Sequence, residues 1–219
     1  MPDTASHPSN GQEAWSEVTT REELEATVGP PIPRVAGKVR ASLHEMDKVF
    51  LAASPFCVLA TVGSDGSCNA SPRGDPPGSL RVLDDCTIVL PDRPGNRRFD
   101  AFHDVLTHPR VGLLVVVPGR GDTLRVNGSA RLVRDAPFFD DLVVAGHRPG
   151  LALVVHVEEV FMHCSKAFLR AGLWDPATWA PDVVPSRARI AQALERQDES
   201  LEELERYYGP GYPGALYGS

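Results

Sequence analysis

The residues best suited to chemistry in this chain are arginines placed beside turns. Leu90-Pro91-Asp92-Arg93-Pro94-Gly95-Asn96-Arg97-Arg98 follows a short apolar run, turns at Pro94-Gly95 and opens a segment of helical spacing. Backbone N–H groups at a helix start, with guanidinium forks beside them, form a cradle for phosphate oxygens. Arg97 and Arg98 supply bidentate donors, and Asn96 is placed to cap the helix and touch an oxygen. An ordinary solvated basic loop has the same local pattern. A second set lies on Thr123–Val133, where alternation puts Thr123, Arg125, Asn127, Ser129 and Arg131 on one face. A strand with one face in water has that pattern too. A third is Ser71-Pro72-Arg73-Gly74-Asp75, an arginine at a strand exit. The fourth runs from Phe161-Met162-His163-Cys164 through Lys166 and Arg170 to Trp174. Lys166 and Arg170 are four apart and share a face if Ser165 opens a helix. No metal site is expected there, because adjacent His163 and Cys164 on a strand point to opposite faces and no second ligand pair follows.

Those residues need a frame. Residues 1–20 mix Pro, Ser, Thr, Asn and Gln and read as a flexible tail. Thr20 with Glu23 spells a capping box, and Pro30, Pro31 and Pro33 interrupt the helix after it. Val39–Leu51 has helical spacing. Phe56–Val62 and Cys68–Arg73 flank Ser64-Asp65-Gly66-Ser67, a hairpin signal. Further strands are expected at Cys86–Leu90, Arg110–Val117, Thr123–Val133 and Leu151–Cys164. Helices are expected at Asn96–Leu106, Ala136–Val144, Ser165–Leu173 and Arg187–Tyr208. Five or six antiparallel strands with inserted helices favour a closed or nearly closed β-barrel, α+β in class, over a β-sandwich. The expected division is a tail over 1–20, a barrel domain with N-terminal helices over 21–180, and a helical extension over 181–219.

The 219 residues carry 22 basic and 29 acidic side chains, a formal charge of −7. That balance argues against a nucleic-acid binder, which needs a broad basic face, while leaving room for a local anion site. Nineteen glycines and twenty prolines suit many short strands. No apolar run reaches the length of a membrane helix, and the first residues do not read as a signal peptide. Cys57, Cys68, Cys86 and Cys164 lack paired spacing and are expected as reduced thiols in a cytoplasmic protein.

Three stretches taken together carry a family resemblance. Asp92-Arg93-Pro94-Gly95-Asn96-Arg97-Arg98, then His108-Pro109-Arg110-Val111-Gly112-Leu113-Leu114, then Leu124-Arg125-Val126-Asn127-Gly128 resemble the pyridoxamine phosphate oxidase-like split-barrel flavoproteins. With Ser71-Pro72-Arg73-Gly74 and His163-Cys164-x-Lys166-Ala167, the pattern is similar to a subgroup of FMN-dependent proteins of uncharacterised substrate. The resemblance covers about residues 40–180. It implies an FMN-binding split-barrel homodimer with the cofactor at the subunit interface. It also implies an oxidoreductase exchanging hydride at flavin N5 with a small molecule. By the same resemblance Asn96, Arg97 and Arg98 fall on the phosphate turn, and Ser71, Arg73 and Gly74 on a strand flanking the flavin. Leu90, Pro91 and Asp92 match the strand end beside the ring. Thr123 stands where many members have a glutamine, with Arg125 on the same face, and Lys166, Arg170 and Trp174 approach from the partner chain. On this reading Arg73, Arg93, Arg97, Arg98 and Arg125 converge on one anionic cofactor. The Arg-x-His segment of the oxidases proper has no counterpart after Tyr207-Tyr208-Gly209-Pro210-Gly211-Tyr212, so the vitamin substrate is not implied. A deazaflavin or haem in the same barrel, and a non-enzymatic flavin carrier or redox sensor, are the alternatives.

Overall fold

The structure is a computed structural model describing residues 15–212 and 216–217, with the side chain of Ala36 excepted. Residues 1–14 of the expected tail, and 213–215 and 218–219 of the expected extension, lie outside the described residues. Two compact units divide the chain, Met1–Lys38 and Val39–Ser219. The first holds α1 (Arg21–Val28) and α2 (Pro33–Ala36). Thr20 Oγ1 accepts from Glu23 N at 3.2 Å, and the Glu23 carboxylate accepts from Thr20 N at 3.3 Å, closing the capping box.

The second unit begins with α3 (Glu45–Ala53), shorter than the expected Val39–Leu51 helix. His44 makes it start late, as its N-cap: its Nδ1 accepts from Met46 N, its own N–H donates to Asp47 Oδ2, and Arg40 pairs instead with Val160. Seven antiparallel strands follow, one more than the largest number expected. They are β1 (Phe56–Val62), β2 (Cys68–Gly74), β3 (Arg81–Asp84), β4 (Thr87–Pro91), β5 (Arg110–Val116), β6 (Thr123–Val133) and β7 (Ala152–His163), with α4 (Asp100–Thr107) between β4 and β5. The additional strand is β3, four residues with a register shift against β4, too short to show alternation. The single sheet runs β2-β1-β5-β6-β7-β4-β3. Fully buried Leu59, Leu113, Leu124, Val126, Leu153 and Val155 lie on one face of it, and Phe50, Leu51, Ala101 and Val105 from α3 and α4 join that core. Each of the Leu, Val and Phe side chains contributes about 1.5–3 kcal/mol by leaving water. The fold is an α+β split barrel.

On the outer face the expected helix over Ala136–Val144 is a 3-10 turn, Pro137–Leu142, whose Phe139 and Leu142 cover Val89, Ala152 and Val154. Past β7, α5 (Lys166–Ala171) leads to α6 (Arg187–Leu194) and α7 (Leu201–Tyr207). The single helix expected over Arg187–Tyr208 is thus broken, because Ser200 and Glu203 form a capping box of their own that starts α7 afresh.

Two local features hold the barrel's shape. Asn127 pairs with Glu159 but Gly128 pairs with Val157, which leaves Glu158 as the extra residue of a bulge. A Cβ on Gly128 would stand 1.9 Å from the His156 carbonyl oxygen, so only glycine fits. The split is bridged by crossed ion pairs: Arg93 Nε meets Asp75 Oδ2 at 2.6 Å, and Arg73 Nη1 meets Asp92 Oδ1 at 3.4 Å. Residues 73 and 75 come from the end of β2, 92 and 93 from the end of β4.

Gly128→Ala is expected to cost at least about 2 kcal/mol, toward the upper part of the range for overpacking, read as a lower denaturant midpoint. Arg93 and Asp75 are only 12% and 10% exposed. Arg93→Met should therefore destabilise by about 3 kcal/mol, whereas breaking the exposed Arg21–Glu25 pair should change stability by less than about 1 kcal/mol; paired melts compare them. Burial pushes the Cys57 thiol up to about 11. At pH 8 a thiol reagent should label exposed Cys68 and Cys164 well before Cys57, which needs unfolding; equal rates would contradict this.

Candidate functional site

Direct cross-strand partners share a face of the sheet, and that rule sorts the candidate residues. Arg73 pairs with Cys57, Cys57 with Val115, and Val115 with Leu124, all on the core-facing side. Ser71 lies on the same face two residues earlier. Arg73 reaches into the split, where its guanidinium carbon stands 5.1 Å from the centre of the Phe102 ring on α4. Buried Leu90 lies on the same face of β4, and Asp92 meets Arg73 just beyond it. Burial raises the Asp92 carboxyl above its usual range despite the opposing pull of Arg73 and the backbone N–H of Arg93. The Arg73–Asp92 pair is long, at 3.4 Å. Pro91 faces the other way, paired with Ala152, and Gly74 pairs with Phe56 at the end of β2.

The arginine turn differs from its expected form. The helix begins at Asp100 rather than Asn96, and no side chain caps it. Asn96 Oδ1 instead accepts from Arg98 N at 3.0 Å, a local turn rather than a helix cap. Arg97 is held at φ 58°, one of two non-glycine residues at positive φ among the described residues. A side chain there is strained, and such strain gathers where backbone shape serves a ligand. Asn96, Arg97 and Arg98 are exposed, with Arg98 Nε bound to Asp100. Arg93 is occupied otherwise. Besides Asp75 it donates to the carbonyls of Leu142 at 2.8 Å and His147 at 3.4 Å. These three contacts fasten the turn to the end of β2 and to the 142–147 segment.

Arg125 belongs to the opposite face. It pairs with Leu114, which pairs with Val58, which pairs with Pro72. Its guanidinium carbon lies 4.2 Å from the ring centre of Phe161, its direct partner on β7. Thr123 shares that face and is buried. Beyond β7, Lys166 and Arg170 are exposed on α5, while Trp174 stacks on Phe168 and donates to Arg120 O at 2.7 Å. One chain therefore brings Ser71, Arg73, Leu90 and Asp92 together and holds Thr123 and Arg125 across the sheet from them. The convergence of five arginines expected from sequence is not built within a single chain. Phe102 and Phe161 stand under Arg73 and Arg125, a placement that local sequence does not mark, because only strand pairing and helix docking bring them there.

Three buried side-chain polar atoms of the described residues lack a hydrogen-bond partner: Ser71 Oγ, Arg73 Nε and Arg125 Nε. Such groups cost about 1–3 kcal/mol each when left unpaired. All three belong to residues singled out for an anionic, hydrogen-bonding ligand, so the residues present fit a group of that kind.

A family model described as pyridoxamine 5'-phosphate oxidase matches residues 43–164. No curated protein matches the chain. Among solved structures, HupZ of Group A Streptococcus is 18% identical, with a TM-score of 0.45 over 55% of this chain and 93% of that one. An FMN-binding protein from Syntrophomonas wolfei is 14% identical, with a TM-score of 0.41 over 55% and 90%. HutZ, the heme storage protein of Vibrio cholerae, is 14% identical, with a TM-score of 0.39 over 55% and 93%. The family match takes in more than half of the chain and all seven strands of the sheet, and the chain belongs to the pyridoxamine 5'-phosphate oxidase family.

Proposed function

We propose that this chain binds FMN and works as a flavin-dependent oxidoreductase on a small molecule, as a homodimer with the cofactor at the subunit interface. The observation that carries the reading is the set of orphaned polar atoms on Ser71, Arg73 and Arg125. They coincide with positions that the family resemblance marks for the flavin. The exposed Asn96-Arg97-Arg98 turn, before a helix start that no side chain caps, suits the phosphate. Bound FMN would supply two-electron chemistry. Arg97 and Arg98 would hold the phosphate, while Ser71 and Arg73, with Leu90 and Asp92 beside them, would line the flavin's flank. Fixed positive charge near the ring would favour an ionised reduced form.

The two-copy arrangement has its own support. Arg73 and Arg125 lie on opposite faces of one sheet, so a cofactor touching both sets draws on two chains more readily than on one. The outer face of β2, β1 and β5 also presents a cavity of about 420 Å³ floored by Ala60, Ala70 and Gly112. No helix of the described residues covers that apolar surface as Pro137–Leu142 covers β4 and β7. Lys166, Arg170 and Trp174 would then reach the partner's cofactor.

The test is the chromophore. Purified protein should be yellow, release FMN on denaturation and rebind it. Replacing Arg97 and Arg98 together with Ala should weaken FMN binding at least about tenfold, since a hydrogen bond to a charged group is worth about 1.5–3 kcal/mol. Unchanged affinity would show that the phosphate sits elsewhere. A colourless protein that fails to take up FMN would overturn the assignment, and preferential uptake of a deazaflavin or haem from a ligand panel would redirect it. Turnover with NADH or NADPH supports an enzyme; binding without turnover supports a carrier.

A further inference from the structure

The joint that closes the split has a third member from far along the chain. Tyr217 Oη donates to Asp75 Oδ1 at 2.7 Å, while Asp75 Oδ2 accepts from Arg93 Nε at 2.6 Å. Both carboxylate oxygens are therefore engaged, one by each partner. The Arg93 guanidinium carbon lies 5.6 Å from the centre of the Tyr217 ring, within cation–π range. That ring also stacks near His147, with centroids 6.1 Å apart and planes 20° apart. Arg93 in turn holds the carbonyls of Leu142 and His147. Tyr217 thus touches the end of β2, the turn after β4 and the 142–147 segment at once.

Those contacts matter because of what lies next to them. Asp75 is two residues past Arg73, and Arg93 directly follows Asp92 and leads into Asn96-Arg97-Arg98. Tyr217 touches no candidate cofactor residue in any of these contacts. Its neighbours are the two residues whose backbone sets where those candidates stand. We propose that Tyr217 is a positioning residue, a latch on the Asp75–Arg93 joint that sets the geometry of the Arg73 and Arg97 sides of the cofactor site. Its bearing on cofactor binding rests on the FMN reading above; its effect on the split does not. The bond to Asp75 also raises the phenol above its ordinary range, so the hydroxyl remains a donor at neutral pH.

The mechanism follows from the hydrogen-bond count. Without the Tyr217 hydroxyl, Asp75 keeps Arg93 but loses its second donor, and the carboxylate is held at one oxygen instead of two. The Arg93 turn then loses one of its lateral restraints, and fluctuations of the 92–98 segment grow without any loss of core packing. Removing the whole ring also takes away the cation–π contact and the His147 stack.

The experiment compares full-length wild type, Tyr217→Phe and Tyr217→Ala in two measurements. In the ligand-free proteins, amide hydrogen exchange over residues 92–98 should quicken about tenfold in Tyr217→Phe and further in Tyr217→Ala, with β5 and β6 unchanged and the melting temperature within about 2 °C of wild type. Unchanged exchange in Tyr217→Ala, or a rise spread evenly over the sheet, would overturn the latch. In FMN titrations, Tyr217→Phe should bind about three- to tenfold more weakly than wild type and Tyr217→Ala more weakly still; equal affinities would show that the latch does not reach the site. Wild type that binds no FMN overturns the functional reading, and the exchange data on the ligand-free proteins then decide the latch alone. Should Tyr217→Ala fail to fold, the exchange pattern of Tyr217→Phe makes the same decision.

Discussion

A carboxylate with two oxygens and two long-range partners fastens the site side of this fold. Asp75 takes Arg93 on one oxygen and Tyr217 on the other, and the sheet beside it ends in strands that no ladder joins. An open antiparallel sheet exposes unpaired backbone along both edges. Here the ends of β2 and β4 are tied by side chains rather than by backbone hydrogen bonds, which leaves a gap lined with polar groups. Arg73 and Ser71 occupy that gap because the alternation of β2 turns them toward the core while the edge position keeps them near solvent. The same geometry leaves their buried atoms unpaired.

The barrel divides its labour by face. The core-facing side holds the apolar stripe and, at its rim, Ser71, Arg73, Leu90 and Asp92. The outer side is covered by Pro137–Leu142 over β4 and β7 and is left bare and small-residued over β1, β2 and β5. The match to the pyridoxamine 5'-phosphate oxidase family takes in all seven strands and the turn before α4. The residues that fasten the split, Asp75, Arg93 and Tyr217, act beneath that pattern as support for its geometry.

Local signals carried much of this into the sequence. The Thr20 capping box, the Ser64–Ser67 hairpin and the alternation of Thr123–Val133 each depend on residues a few positions apart, and each is legible. Ser200 with Glu203 is a signal of the same kind as Thr20 with Glu23, and it marks the break between α6 and α7 that a reading by apolar spacing passes over. The length of α3 hinges on His44 acting as a cap, a rarer use of that side chain. Contacts made by folding are another matter. Nothing near Arg93 says that it will meet Asp75 rather than a phosphate, and nothing near Arg125 says that three strand pairings will put it opposite Arg73. Residue type marked these arginines as chemically able; only the register distinguishes the fastener from the candidates.

Arg97 carries a consequence for anyone who engineers this chain. Its backbone sits in the left-handed region, where an ordinary side chain costs roughly 1–2 kcal/mol relative to an unstrained conformation. Glycine or asparagine would relieve that strain. A library sorted by heat resistance alone would therefore tend to discard the arginine, and thermal tolerance and ligand grip would pull the position in opposite directions. If Arg97 grips the phosphate as proposed, selection that keeps both has to tether survival to occupancy.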